Sequence, residues 1–170
     1  MASLKLLSAL KVSTCSGIAE LDEYVSSVRL FVSGDSQNVP EGFSDYQEFA
    51  VIALGHKFYA NGENTFFLNK NNLLEGPCDI WDRERLEKRT WFLNGEKHGL
   101  ETTWWCPKTK RTEVRLKEGK KVGEHKKWYR TGWLSEVELY SEEGVFKGYT
   151  VYSLETKDKI VFSADAKQLE

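Results

Sequence analysis

The chain has 170 residues, of which 29% are charged and 13% aromatic, and its formal net charge is −2. No apolar stretch approaches the roughly 20 residues needed to cross a bilayer, and a nearly neutral chain does not favour nucleic acid as a partner. Three cysteines without a paired pattern predict free thiols in a reducing compartment, and hence an intracellular, cytoplasmic location. The length predicts one domain, or a small domain joined to an array.

Residues 1–45 are predicted to form a helical N-terminal cap. Leu4, Leu7 and Leu10 give one apolar stripe at helical spacing, and residues 18–32 give a second. Such a cap would close the exposed apolar edge of a repeat array, and a helix that binds a partner is the alternative. The first 19 residues contain two lysines and no acid, a composition that also fits an organelle transit peptide.

Residues 46–75 are predicted to contain a transition segment and a degenerate first hairpin. Ser44 and Gln47 resemble a capping box, and Gly55 is a natural helix stop, so a helix is favoured over 46–54. The apolar run 49–54 also suits a buried strand, which stays open as the alternative. Further on, the pair Asn61-Gly62 lies between two aromatic segments and predicts a hairpin with a type I′ turn.

Residues 76–163 carry a repeat of glycine pairs spaced four residues apart, which predicts one structural unit stacked on copies of itself. Each unit contains two β-prone segments, so the predicted fold is mainly β, an open antiparallel solenoid of successive hairpins. We expect positive φ angles at the paired glycines because the chain reverses there. Asn72 stands where a glycine would precede Gly76. The pairs are Gly95 and Gly99, Gly119 and Gly123, and Gly144 and Gly148.

Tryptophans recur in register with this repeat. Trp81, Trp104 and Trp128 each follow the second glycine of a unit by five residues, whereas the last unit has Tyr152 one residue early. Residues in the same register share one face of a sheet, so we predict an aromatic binding face that also includes Trp133. The sequence leaves open whether this face is exposed for a partner or covered by the sheet itself.

Two segments carry a family resemblance. Residues 94–99, Asn-Gly-Glu-Lys-His-Gly, resemble the core of MORN repeats (membrane occupation and recognition nexus). The run 123–144 resembles a variant form found in bacterial antitoxin-like proteins and in marseillevirus-like giant viruses. Its matching residues are Trp128, Tyr129, Gly132, Leu134 and Glu136. The resemblance implies a hairpin array that binds other molecules, and it covers residues from about 70 to 163.

No arrangement of residues indicates catalysis, a cofactor or a metal. The candidate ligands Cys78, His98, Cys106 and His125 do not follow zinc spacing. None of the histidines has a nucleophile partner close in sequence. The sequence therefore predicts a protein that is not an enzyme and that has no cofactor.

The polar feature of greatest extent is basic. Lys120, Lys121, Lys126 and Lys127 are predicted to form one flank, which would attract acidic protein surfaces or anionic lipid. A solvated lysine face that protects edge strands from aggregation is the alternative.

The function expected from the sequence is non-enzymatic interaction with proteins, or assembly scaffolding, through the aromatic face. Self-association through the open ends of the array is a further expectation. A structural component of a large DNA virus, an antitoxin-like inhibitor and an adaptor that contacts anionic lipid are the alternatives. Residues 164–170 are predicted to form a C-terminal tail.

Overall fold

The computed structural model describes residues 44–156 and 158–164. The predicted N-terminal cap lies outside these residues except at positions 44 and 45, as does the tail beyond residue 164. A short helix, α1 (Tyr46–Glu48), continues into a π-helix (Phe49–Leu54). The strands are β1 (Lys57–Ala60), β2 (Asn64–Leu68), β3 (Gly76–Asp82), β4 (Arg85–Leu93), β5 (Glu96–Cys106), β6 (Thr109–Lys117), β7 (Lys120–Lys121), β8 (Gly123–Trp128), β9 (Leu134–Tyr140), β10 (Phe146–Tyr152) and β11 (Lys159–Ser163).

The strands form one open antiparallel sheet of eleven strands, so the prediction of a mainly β fold built from hairpins is confirmed. Strand order follows chain order from β1 to β11, except that the two-residue strand β7 pairs only with β6. The chain divides into two compact units. The first extends to Cys78 and includes Trp91–Glu96; the second contains Asp79–Thr90 and the chain from Lys97 onward.

The segment at 46–54 is helical, as favoured from the sequence, but its cap differs from the predicted one. Asp45 is the N-cap, and its Oδ1 accepts a hydrogen bond of 2.8 Å from the Glu48 backbone N–H. Ser44 instead donates its own backbone N–H to the Glu48 carboxylate at 2.9 Å. Gly55 ends the helix in the left-handed conformation at φ 68°, where a residue without Cβ is least strained.

The core of the first unit forms around Tyr46. Its ring contacts Phe67 and Trp91 edge-on, with centroids 5.1 and 5.2 Å apart, and Phe49 lies beside it with no exposed surface. Gly76 leaves room for the Tyr46 ring, because a Cβ at residue 76 would lie 2.1 Å from the tyrosine oxygen. The Tyr46 ring therefore contributes to the packing of the helix against the strands.

The first hairpin forms where it was predicted, but the predicted type I′ turn is wrong. Strand pairing stops at Ala60 and Thr65, so the connection is longer than two residues. Gly62 has φ 87°, whereas Asn61 is not among the residues with positive φ, although a type I′ turn needs both. The Asn61 side chain accepts a 2.8 Å bond from the Asn64 N–H instead, and this bond favours a wider turn.

The repeated glycines adopt the predicted backbone conformation, since all six have positive φ. Asn94 and Glu118 also have φ near 50° and precede Gly95 and Gly119 in tight turns, as in type I′ geometry. The expectation that both glycines of a pair lie in the turn is wrong: Gly99 and Gly148, for example, lie inside strands β5 and β10. At Gly148 a Cβ would lie 2.3 Å from a carbonyl oxygen of β11, so close strand approach explains that glycine.

The buried positions of the second unit are mainly polar. Asp79, Thr102 and His125 are between 1% and 7% exposed, whereas Leu116 and Val122 are its buried aliphatic side chains. The Asp79 carboxylate accepts two 2.7 Å hydrogen bonds from one arginine of β4, and charge-assisted bidentate pairs of this kind are strong. Polar contacts between strands therefore make up much of the packing of the buried side chains in this unit.

Candidate functional site

The predicted tryptophan face is partly covered. Trp81, Trp104 and Trp128 are half-buried, whereas Trp133 is 57% exposed. The ammonium of Lys110 lies 5.8 Å from the centroid of the Trp128 ring. The structure thus leaves one of the four predicted tryptophans mainly accessible.

A fifth tryptophan in the second unit, Trp105, was missed by the sequence reasoning. Two guanidinium groups lie near its ring, with Arg111 at 4.5 Å and Arg130 at 5.5 Å from the centroid. Its Nε1 donates a 2.9 Å hydrogen bond to the Trp128 carbonyl oxygen. The adjacent pair of tryptophans was the available signal, and the contacts indicate a structural role for the second one.

The predicted basic flank is largely neutralised by acidic neighbours. Lys127 contacts Glu136 at 2.7 Å and Glu138 at 2.8 Å. Lys121 lies 3.4 Å from the same Glu138, and Lys126 pairs with a glutamate of its own strand at 2.8 Å. Lys126 and Lys127 are consecutive in β8, so they project to opposite faces of the sheet. Lys120, the fourth, is exposed in β7.

On the Lys127 face the sheet forms a charged groove of about 410 Å³, lined by Lys97, Glu101, His125, Lys127 and Glu138 among others. Lysines and glutamates alternate across it. Glu101 contacts the ammonium of Lys97 at 2.9 Å, and Lys88 contributes a second contact at 3.1 Å. The charges in the groove are paired with one another. They therefore stabilise the sheet more than they favour the binding of an ionic ligand.

Two titratable groups of the groove have shifted pKa values. Burial alone would raise the pKa of Glu138, but hydrogen bonds from Lys127 and Tyr140 outweigh it and hold this pKa at about 2. Burial lowers the pKa of His125 against weaker opposing contacts, which include the Arg115 carbonyl 3.2 Å from Nε2. At neutral pH the glutamate is therefore ionised and the histidine neutral.

Beyond the groove, one sheet face carries an aromatic row made of Tyr140, Phe146, Tyr149 and Phe162. Successive ring centroids lie 5.4, 6.4 and 4.6 Å apart. Phe146 is 39% exposed and Phe162 43% exposed. The sequence reasoning did not identify this row, because Phe146 and Tyr149 are three residues apart and strict alternation would separate them. The register shift between Phe146 and Gly148 brings them to one face.

The first three rings of this row and two acidic side chains line an open depression of about 540 Å³, which we call the trough. It is lined by Glu136, Glu138, Tyr140, Phe146 and Tyr149. The Tyr140 hydroxyl donates a 3.0 Å hydrogen bond to Glu138. The lining thus combines aromatic rings with carboxylates. It contains no basic side chain itself, but both carboxylates are paired with Lys127.

The row ends at strand β11, which is last in the sheet order. All five residues of β11 are exposed, including Ile160 at 60% and Val161 at 67%. The Ser153 N–H donates to the Asp158 carbonyl at 2.9 Å, which fixes the hydrogen-bonding alternation of the β10–β11 hairpin. By that alternation the backbone N–H and C=O of Lys159 and Val161 face the outer edge of the sheet.

The cysteines and histidines that the structure describes do not assemble into a metal centre. Across residues 44–156 and 158–164 no group of three or more potential ligands comes together. Cys78 is half-buried, whereas Cys106 is exposed and is a free thiol. A hydrogen bond with Thr109 lowers the pKa of the Cys106 thiol, and the positive charge of Arg130 adds a weaker effect.

Comparison with protein-family models finds no match for the chain, and no curated protein matches it. In the part of the chain that the structure describes, no helix has the length and apolar character to span a bilayer.

Proposed function

We propose that this protein is a non-enzymatic protein-interaction module or assembly scaffold. In this proposal an extended segment of a partner protein adds to the sheet as a strand beside β11, with its side chains against the aromatic row. One observation carries the proposal: among the strands that the structure describes, β11 is an edge strand, its five residues are all exposed, and its centre is Ile160, Val161 and Phe162. Natural edge strands usually avoid such apolar exposure unless another chain covers it.

The addition of a partner strand accounts for both the exposed apolar edge strand β11 and the aromatic row beside it. The outward backbone groups of β11 would supply the main-chain hydrogen bonds, and the side chains beside it would supply selectivity. The resemblance to variant MORN repeats is part of the proposal. It is supported by the glycine pairs, all with positive φ, and by successive antiparallel hairpins.

The test is affinity purification from the native source with the wild-type chain and two variants. Val161→Lys places a charge in the middle of the edge strand, and Leu154→Lys makes the same kind of change at an exposed apolar residue outside the strand. We expect the wild type and Leu154→Lys to retain the same protein, or a second copy of the chain, and Val161→Lys to lose it. Retention by all three, or no bound protein above background, would refute strand addition at β11.

A further inference from the structure

We propose that the trough binds an alkylammonium cation, specifically the methylated ammonium of a lysine side chain on the partner polypeptide. The faces of aromatic rings carry negative electrostatic potential and attract cations within about 6 Å. Tyr140, Phe146 and Tyr149 present three such rings in one depression, with Glu136 and Glu138 at its side. The volume of about 540 Å³ lies within the usual range for small-ligand sites.

The chain itself shows that this environment accepts an ammonium group. Lys121 places its Nζ 5.3 Å from the centroid of the Tyr140 ring and 3.4 Å from Glu138 Oε2. The same combination of ring and carboxylate continues toward Phe146 and Tyr149, where the trough is lined by no basic residue. A second ammonium in the trough would therefore meet the same kind of aromatic ring that Lys121 already contacts.

The hydrogen bonds of the two carboxylates favour a methylated ammonium over a primary one. Glu136 accepts from Lys127 at 2.7 Å, and Glu138 accepts from Lys127 at 2.8 Å and from Tyr140 at 3.0 Å. Recognition of a further cation then relies on the aromatic rings rather than on new N–H···O bonds. A methylated ammonium has few or no N–H donors to satisfy and is weakly hydrated, so it loses least on entering the trough.

The ammonium site is tested by titrating the full chain with choline and with its neutral isostere 3,3-dimethylbutan-1-ol, following the chemical shifts of the aromatic rings. We expect choline to bind at least about tenfold more tightly than the isostere, and Phe146→Leu and Tyr149→Leu each to weaken choline binding about tenfold. Tyr59→Leu, at a 43% exposed tyrosine of the first unit, is the control and should leave binding unchanged. Equal binding of the two probes would show an ordinary apolar depression and overturn the proposal, as would binding that survives both trough variants.

The source of the cation is tested with Nα-acetyl-trimethyllysine amide and with vesicles of phosphatidylcholine. We expect the lysine derivative to bind through Tyr149 and the vesicles not to bind. Vesicle binding that is lost in Tyr149→Leu, without binding of the lysine derivative, would assign the site to a membrane and refute a polypeptide source. The polypeptide source rests on the proposed function, whereas choline binding does not, so failure of the Val161→Lys experiment alone would leave the ammonium site standing.

Discussion

Replacing Gly76 by alanine tests the packing that joins the helix to the sheet in the first unit. A Cβ at this position would lie 2.1 Å from the Tyr46 oxygen and 2.4 Å from its Cζ. Because ring atoms as well as the hydroxyl are this close, the whole side chain must leave its site against Phe67 and Trp91. Gly95 is a matched control: its φ of 88° is nearly the same as the 86° of Gly76, but the nearest atom to its Cβ would be 3.6 Å away.

The two substitutions share one cost and differ in another. A side chain at positive φ costs about 1–2 kcal/mol at either position. Displacing a buried aromatic ring adds about 3 kcal/mol, the lower end of the range for removing one from a core. We therefore expect Gly95→Ala to lower the free energy of unfolding by about 1–2 kcal/mol and Gly76→Ala by about 4–5 kcal/mol.

The assay is urea unfolding followed by tryptophan fluorescence, with a double-mutant cycle between Gly76 and Tyr46. In the Tyr46→Ala background the clash is absent, so Gly76→Ala should cost only the backbone strain of about 1–2 kcal/mol. The coupling between the two sites should then be about 3 kcal/mol. Equal costs for the two glycines, or an unchanged cost of Gly76→Ala when Tyr46 is removed, would refute the close packing of this ring.

Two further predictions concern the second unit. Acid should weaken the fold in two steps. The pKa of His125 is lowered in the folded state, so the unfolded state takes up a proton first as pH falls below 6.5. The pKa of Glu138 is about 2 in the folded state, so its stabilising contribution is lost as pH falls from 4.5 toward 2. Urea midpoints from pH 8 to pH 3 measure this, and Glu138→Gln should reduce mainly the lower step. Trp105→Phe keeps an aromatic ring near the guanidinium groups but removes the hydrogen bond to Trp128. It should lower the free energy of unfolding by about 1 kcal/mol, and Trp105→Ala by about 3 kcal/mol, in the same assay. Equal losses for the two variants would show that packing of the ring contributes little.

Local chemistry explains what the sequence predicted correctly. Positive φ at the paired glycines, the hairpin at 57–68 and the helix stop at Gly55 depend on a few neighbouring residues. The errors arose where several residues compete for one role. Asp45 displaces Ser44 as the helix cap because its carboxylate reaches the Glu48 N–H, and the Asn61 side chain widens a turn that Asn-Gly pairs usually make tight.

The candidate site was less predictable because it depends on which residues face each other across strands. Lys126 and Lys127 looked like one basic cluster, but adjacent strand positions lie on opposite faces. Lys126 pairs with Glu124 of its own strand, whereas Lys127 pairs with Glu136 of the neighbouring strand β9. Register shifts add to this difficulty. One lies between Lys127 and Trp128 in β8, and another between Phe146 and Gly148 in β10.

The register shift in β10 also explains how a polar face becomes an aromatic one along the same sheet. In β5 and β8 the residues two and four places after the strand glycine lie on the groove face, as with Glu101, His125 and Lys127. In β10 the residues one and three places after Gly148 take those positions, because Tyr149 pairs with Glu138 and Val151 with Glu136. A one-residue change of register exchanges the two faces of a strand. The position of Tyr152, one residue early in the glycine repeat, reflects that change of register in the sequence. Tyr152 belongs to the unit in which the sheet forms the trough.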